Sequence, residues 1–132
     1  MFALPKKGLR RGKLFGRRIL VACGLTAGLA GCGSGEGPRT VVPLDAAADG
    51  SLRFERAALR ATAGRASIEM RNPSNIPHAI GIRGKGVNEV GATVGRDGSS
   101  RVTPDLRPGV YELFCPVGGH EQAGMTAKLT VR

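Results

Sequence analysis

The sequence predicts an all-β protein, a small antiparallel sandwich or barrel, and three observations support this. Apolar and polar residues alternate with a period of two in several short runs, which is typical of half-buried strands. Turn signals containing Gly and Pro separate these runs. The runs occupy residues 51–132 of a 132-residue chain, a length that suits one domain.

The predicted elements follow one another along the chain. A first strand is expected at Thr40–Leu44, while Ala57–Ala63 has the propensity of a helix that tertiary context could convert into a strand. The clearest runs place alternate residues on one face: Ala66, Ile68 and Met70; His78, Ile80 and Ile82; Tyr111, Leu113 and Cys115; and Met125, Ala127, Leu129 and Val131. The turns between them are predicted at Asn72-Pro73, Gly84-Lys85-Gly86, Arg96-Asp97-Gly98 and Arg107-Pro108-Gly109.

Positive charge is concentrated at the amino terminus. Seven of the 20 Lys and Arg residues lie in the first 18 positions, with no acidic residue among them. From residue 32 onward, 13 basic and 10 acidic residues leave a net charge of +3, so most of the overall +10 belongs to this leader. A nucleic-acid surface is therefore not indicated. Five arginines of the domain are expected to face solvent: Arg53, Arg56, Arg60, Arg65 and Arg71.

The first 31 residues are expected to form an export signal. The basic block precedes an apolar run, Ile19–Ala30, which is shorter than the roughly 20 residues that span a bilayer. The segment Leu29–Cys32 resembles the lipobox of bacterial lipoproteins, in which the cysteine thiol is lipidated and becomes the first mature residue. This resemblance implies a lipid anchor at Cys32 and an extracytoplasmic location on the membrane, in the periplasm or on the outer surface. The alternative is an ordinary signal peptide with a coincidental cysteine.

These features divide the chain into three segments. They are a signal peptide at 1–31, the lipidated Cys32 with a linker at 32–50, and one domain at 51–132. The same division leaves one free thiol, Cys115, because Cys23 would be removed with the leader. A disulfide scaffold and any site that needs two thiolates are excluded. Only two histidines are present in the whole chain, which excludes most metalloenzymes that need several imidazoles.

Four residues with metal-binding side chains are brought together by their spacing. Cys115 ends one predicted strand and Met125 opens the next, both on the core-facing side, and His120 lies in the middle of the nine-residue loop between them. His78 lies on the core-facing side of another predicted strand. One thiolate, two imidazoles and a thioether could thus converge at one end of the sandwich. This donor set suits a blue-copper electron-transfer centre.

At these residues the sequence resembles the cupredoxins, the small blue-copper proteins. The resemblance is carried by Asn72–His78 and Gly109–Met125, and the C-x4-H-x4-M loop is similar to the rusticyanin and sulfocyanin type. It implies a Greek-key β-sandwich that holds one type 1 copper ion and shuttles single electrons. By this resemblance the equatorial ligands would be His78, Cys115 and His120, and the axial ligand would be Met125.

The chain departs from the cupredoxin pattern at one position. Many members carry Asn directly after the first His, and its side chain ties the two ligand segments together. This chain has Ala79 there, so Asn72 or Asn75 would have to take over that role. The departure leaves open an alternative function, a periplasmic Cu(I) carrier or storage protein that uses the same ligands.

An electron carrier is expected, and not an enzyme. A nucleophilic Cys115 activated by His120 would need a third group to orient the imidazole, and none is evident. We expect a monomer that contacts a redox partner, such as a cytochrome or a terminal oxidase, through the small apolar residues around His120. Glu121 beside it is expected to be a solvated loop acid.

Overall fold

Nine β-strands and no helix are found within residues 39–132, the part of the chain that the computed structural model describes. The leader and Cys32 lie outside the described residues. The strands are β1 (Thr40–Asp45), β2 (Ala58–Ala61), β3 (Gly64–Arg71), β4 (Gly81–Gly84), β5 (Val87–Val90), β6 (Ser99–Val102), β7 (Asp105–Leu106), β8 (Gly109–Phe114) and β9 (Thr126–Val131). No helix able to cross a bilayer occurs among these residues.

The strands form two sheets that confirm the predicted all-β sandwich. One sheet has the order β1-β3-β6, with β7 also paired to β3, and the other has the order β2-β9-β8-β4-β5. The pairs β1–β3 and β2–β9 are parallel and the remaining pairs are antiparallel. Both sheets are therefore mixed rather than purely antiparallel. Alternation reports which face of a strand is buried but carries no information about the direction of its neighbour.

The hydrophobic core draws on the inward-facing residues of both sheets. Ile68 and Met70 come from the first sheet, and Leu113 and Leu129 come from the second; all four are completely buried. The predicted alternation is confirmed at these positions. The five arginines expected at the surface are exposed.

The segment around β4 is buried on both faces, which the alternation does not predict. Ala79 and Gly81 are buried although they lie on the face opposite Ile80 and Ile82. The Phe114 ring covers Gly81 so closely that a Cβ there would lie 2.6 Å from it. Only glycine therefore fits at this position, next to the residue that precedes Cys115.

The predicted linker at 32–50 extends too far into the domain. The strand anticipated at its centre is present as β1 and pairs with β3 along its whole length, and Val42 and Leu44 belong to the core. The sandwich therefore begins at Thr40 and not at residue 51. In the same way, the ambiguous segment Ala57–Ala63 contains a strand, β2, because it pairs with β9.

Replacement of Leu44 by Ala tests whether β1 is part of the domain. Leu44 is 1% exposed, so Leu44→Ala should lower the free energy of unfolding by about 2–5 kcal/mol through lost burial and a residual cavity. Val41 in the same strand is 56% exposed, and Val41→Ala should change it by less than about 0.5 kcal/mol. Urea unfolding of both variants measures the difference, and equal small effects would contradict the assignment of β1 to the core.

Candidate metal centre

The β8–β9 pair fixes the ends of the loop that contains His120. The ladder ends with Phe114 opposite Thr126. One residue further, the Cys115 N–H donates to the Met125 carbonyl over 3.1 Å. Cys115 and Met125 are thereby held side by side at the end of the second sheet, as their spacing predicts.

The loop between them is a compact series of turns. The His120 N–H donates to the Val117 carbonyl, and the Met125 N–H donates to the His120 carbonyl, each over 3.0 Å. Gly119 and Gly124 have φ angles of +81° and +99°, which side-chain-bearing residues rarely adopt. The backbone hydrogen bonds and these two glycines together set the position of His120 above the end of the sheet.

His78 reaches the same place from the loop that follows β3. Its backbone forms an isolated bridge with Val94: the His78 N–H donates to the Val94 carbonyl over 3.1 Å, and the Val94 N–H donates back over 2.8 Å. The side chain is completely buried. His78 is therefore fixed by backbone contacts that are independent of the Cys115–Met125 loop.

Three of the four predicted site residues bring their donor atoms together. The Cys115 Sγ lies 3.9 Å from His78 Nδ1 and 3.5 Å from His120 Nδ1, and one ligand atom from each residue lies within 4.8 Å of the others. Donors that surround one metal ion at 2.0–2.3 Å in a trigonal arrangement would lie roughly 3.5–3.8 Å apart. The observed separations of the sulfur from both nitrogens fit one shared ion.

Met125, the fourth predicted residue, is connected to this cluster by backbone hydrogen bonds. Its N–H is bonded to His120 and its carbonyl to Cys115, and its side chain is completely buried in the core that also contains Cys115. The Met125 backbone is thus hydrogen-bonded to both Cys115 and His120. Its role as the axial ligand remains a proposal.

Burial favours the protonation state that a metal requires at His78. Desolvation, assisted by the nearby His120, lowers the pKa of His78 below its ordinary value of 6.5. The ring is therefore neutral at neutral pH, the form in which imidazole binds metals. Its Nε2 is buried without a hydrogen-bond partner among the described residues, while Nδ1 faces the Cys115 sulfur.

The backbone of Ala79 supplies a contact between the two ligand segments. Its N–H donates to the Cys115 Sγ over 3.5 Å. Neither asparagine replaces the missing side chain at position 79. Asn72 is buried and donates to the Ile76 and Val94 carbonyls over 2.8 and 3.0 Å, so it orders its own loop. Asn75 accepts a hydrogen bond from an exposed arginine.

Arg83 is a residue of the site region that sequence reasoning missed. Its guanidinium lies 4.7 Å from the centre of the Phe114 ring and donates to Glu121 over 2.7 Å and to Glu112 over 2.8 Å. These contacts raise the pKa of Arg83, mainly through Glu121. They connect the ligand loop to strands β4 and β8. Glu121 is therefore bound by Arg83 and is not the freely solvated acid expected.

The sequence signal for Arg83 was weak because its partners are distant along the chain. Arg83 lies opposite Glu112 only when β4 and β8 are paired in the observed register, and a single sequence does not provide that pairing. Arg83, Glu112 and Glu121 are also common surface residues when each is considered alone. Only their proximity in the folded protein shows that they connect the His120 loop to the sheet.

The fold is shared with solved copper proteins. The chain matches no protein-family model and no curated protein sequence. Among solved structures, it is similar to auracyanin B, with 22% identity and a TM-score of 0.63 over 74% of this chain and 91% of that chain. It is also similar to the auracyanin of the photosynthetic bacterium Roseiflexus castenholzii, with 21% identity and a TM-score of 0.59 over 73% of this chain and 99% of that chain.

A third similar structure is auracyanin A from Chloroflexus aurantiacus, which is described as a "blue" copper protein. It shows 18% identity and a TM-score of 0.62, over 72% of this chain and 100% of that chain. At these identities the likeness establishes the fold. The cupredoxin-like β-sandwich implied by the resemblance is therefore confirmed.

The lowered pKa of His78 predicts how the stability of the metal-free protein depends on pH. The unfolded chain takes up a proton at His78 near pH 6.5, whereas the folded protein takes it up only at lower pH. The contribution of neutral His78 to the free energy of unfolding is therefore fully present above about pH 6.5. It is lost as the pH falls, because the unfolded chain then binds a proton that the folded protein does not. Urea unfolding between about pH 7.5 and pH 5 should show this loss, and His78→Gln should reduce the pH dependence. An unchanged dependence in His78→Gln would contradict the prediction.

Proposed function

We propose that this protein is a membrane-anchored, extracytoplasmic electron carrier, and not an enzyme, that uses one type 1 copper ion. His78, Cys115, His120 and Met125 would hold the ion, with Met125 as the weaker ligand. The observation that carries the proposal is the convergence of one thiolate and two imidazole nitrogens within 4.8 Å. The shared fold with a "blue" copper protein supports it.

Each donor has a chemical role in such a site. The Cys115 thiolate stabilises Cu(II), two neutral imidazoles serve both oxidation states, and the soft thioether of Met125 favours Cu(I). Bound copper would supply the one-electron couple between these two states. This mixture of hard and soft ligands suits both Cu(I) and Cu(II). Zinc and magnesium do not change oxidation state, so their sites do not need such a mixture.

Hydrogen bonds within the protein hold the donor residues in place, and these bonds do not depend on the oxidation state of a bound metal. Backbone hydrogen bonds fix Cys115 to Met125 and fix His78 to Val94, and the Ala79 N–H stabilises negative charge on the Cys115 sulfur. Ligands held in this way on paired strands have little freedom to rearrange between oxidation states. A small rearrangement lowers the barrier to electron exchange.

His120 gives the site its opening to the surface. His78, Cys115 and Met125 are completely buried, whereas His120 is half-buried. Small exposed residues surround it: Pro77, Gly118, Gly119, Ala123 and Gly124. Because the adjacent Glu121 is paired with Arg83, this surface can dock flat and briefly against a redox partner such as a cytochrome or a terminal oxidase.

Titration with copper tests the proposed centre. The mature chain with Cys32→Ser retains Cys115 as its one thiol, and sub-stoichiometric Cu(II) should produce an intense blue or green charge-transfer band. Cys115→Ser in the same background should abolish the band because the sulfur donates the transferred charge. Silent binding of Cu(I) by a colourless protein would instead support the copper carrier or storage function.

Replacement of His120 tests the proposed route of the electron. Because His120 is the half-buried ligand, His120→Ala should slow electron self-exchange by at least about tenfold while circular dichroism stays unchanged. Gln122→Ala, an exposed change in the same loop, is the matched control and should leave the rate unaltered. An unchanged rate in His120→Ala would place the route elsewhere.

The membrane anchor has its own test. The lipobox-like segment Leu29–Cys32 supports lipidation of Cys32, and two or more acyl chains give stable anchoring where one gives marginal binding. Protein purified from bacterial membranes should therefore yield an amino-terminal peptide that begins at a diacylated Cys32 by mass spectrometry. Cys32→Ser should release the protein from membranes, and an unmodified amino terminus in the wild type would refute the anchor.

A further inference from the structure

The first described strand enters the sandwich at the end opposite the metal donors. Thr40 begins β1 beside Ala66, near the start of β3, whereas His78 follows the other end of β3. In the second sheet, Gly109 begins β8 opposite Val131, whereas Cys115 follows the other end of β8. Thr40 therefore lies at the end of the sandwich that is remote from the site.

That remote end is strongly basic. We call it the basic end and define it by five exposed side chains: Arg60, Arg65, Lys85, Arg107 and Arg132. Its one acidic side chain is Asp105, which lies opposite Arg65 in the β3–β7 pair. None of the five cations has an ion-pair partner within residues 39–132.

The backbone places these five cations around one end of the sandwich. The Arg132 N–H donates to the Ala61 carbonyl. Arg132 therefore lies beside the end of β2, the strand that contains Arg60. A Cβ on Gly109 would lie 2.5 Å from the Lys85 Cε, so the β4–β5 turn and the start of β8 are adjacent. The cations thus come from both sheets, at the same end of the sandwich as the start of β1.

The metal end has a different charge pattern. Its acidic residues are Asp45, Asp49, Glu55, Asp97 and Glu121, which accompany Arg53, Arg71, Arg83 and Arg96. Asp49 and Glu55 both pair with Arg53, and Asp97 pairs with Arg96. Opposite charges are therefore balanced at this end, and the domain carries its positive charge asymmetrically.

The length of chain before β1 limits how far the domain can lie from its anchor. Seven residues, 33–39, separate Cys32 from Thr40, so that even a fully extended chain between the two spans at most about 29 Å. The donors lie further away by the length of the six-residue strand β8, roughly 20 Å. The basic end is thus the part of the domain that the anchor keeps near lipid.

We propose that the basic end binds anionic phospholipid head groups and thereby orients the metal centre away from the membrane. This inference rests on the anchor in the proposed function and adds a second, electrostatic contact to it. Juxtamembrane cations each contribute roughly fivefold in affinity for an anionic surface, and the attraction is screened by salt. Orientation by several such cations would present His120 to a partner instead of to the bilayer.

The test uses the processed, lipid-anchored protein in nanodiscs made of phosphatidylcholine alone or with one third phosphatidylglycerol. Hydrogen–deuterium exchange should slow severalfold at residues 60–66, 84–87 and 105–110 in the anionic discs, and high salt should abolish the effect. Exchange in the ligand loop, 116–124, should not change. Equal exchange in both kinds of disc, or protection of the ligand loop, would overturn the proposal.

Matched triple variants identify the charges responsible. Arg65→Gln, Lys85→Gln and Arg107→Gln together should remove the protection, because roughly a hundredfold of affinity would be lost. Arg53→Gln, Arg71→Gln and Arg96→Gln remove three cations at the metal end and should retain it. Retained protection in the basic-end variant would refute the assignment, provided that both variants keep the wild-type circular dichroism.

Failure of the anchor would be recognised separately. A protein without lipid would not load into the neutral discs, which refutes the proposed anchoring and not the basic end. Flotation of that protein with anionic and neutral vesicles then tests the basic end directly. Salt-sensitive binding to the anionic vesicles alone, weakened in the basic-end variant, would support the proposal, and its absence would contradict it.

Discussion

The hydrogen bond between the Cys115 N–H and the Met125 carbonyl is the constraint on which the site depends. It extends the β8–β9 ladder by one residue and closes the loop in which His120 lies. The strand register, the backbone hydrogen bonds and two turn-forming glycines hold this loop in its shape. Cys115, His120 and Met125 are thus connected by backbone hydrogen bonds.

The second half of the site is held by a different part of the fold. His78 is tied to Val94, and the Ala79 N–H is directed at the Cys115 sulfur. A backbone donor cannot be read from side-chain identity, so the sequence alone does not reveal that Ala79 joins the two segments without an Asn side chain. Arg83 adds a contact from outside, since it joins Glu121 in the ligand loop to Glu112 on β8.

Sequence reasoning succeeded where information is local. The alternation at Ile68, Leu113 and Leu129 reports burial directly, and the spacing of the donors made their convergence predictable. It did not succeed where the answer depends on distant partners. A strand was expected at Thr40–Leu44, but its place in the sandwich and not in the linker depends on its pairing with β3, and Arg83 acquires its role only through the β4–β8 register.

The parallel pairing of β1 with β3 has a mechanical consequence. A pull on residue 39 along the direction of β1 loads the hydrogen bonds from Thr40 to Asp45 in shear, so that they resist together and do not open one after another. An edge strand peeled sideways would yield bond by bond at a much lower force. An anchor on the chain before residue 39, as proposed, would therefore pull on this strand in the geometry that withstands tension better than peeling does.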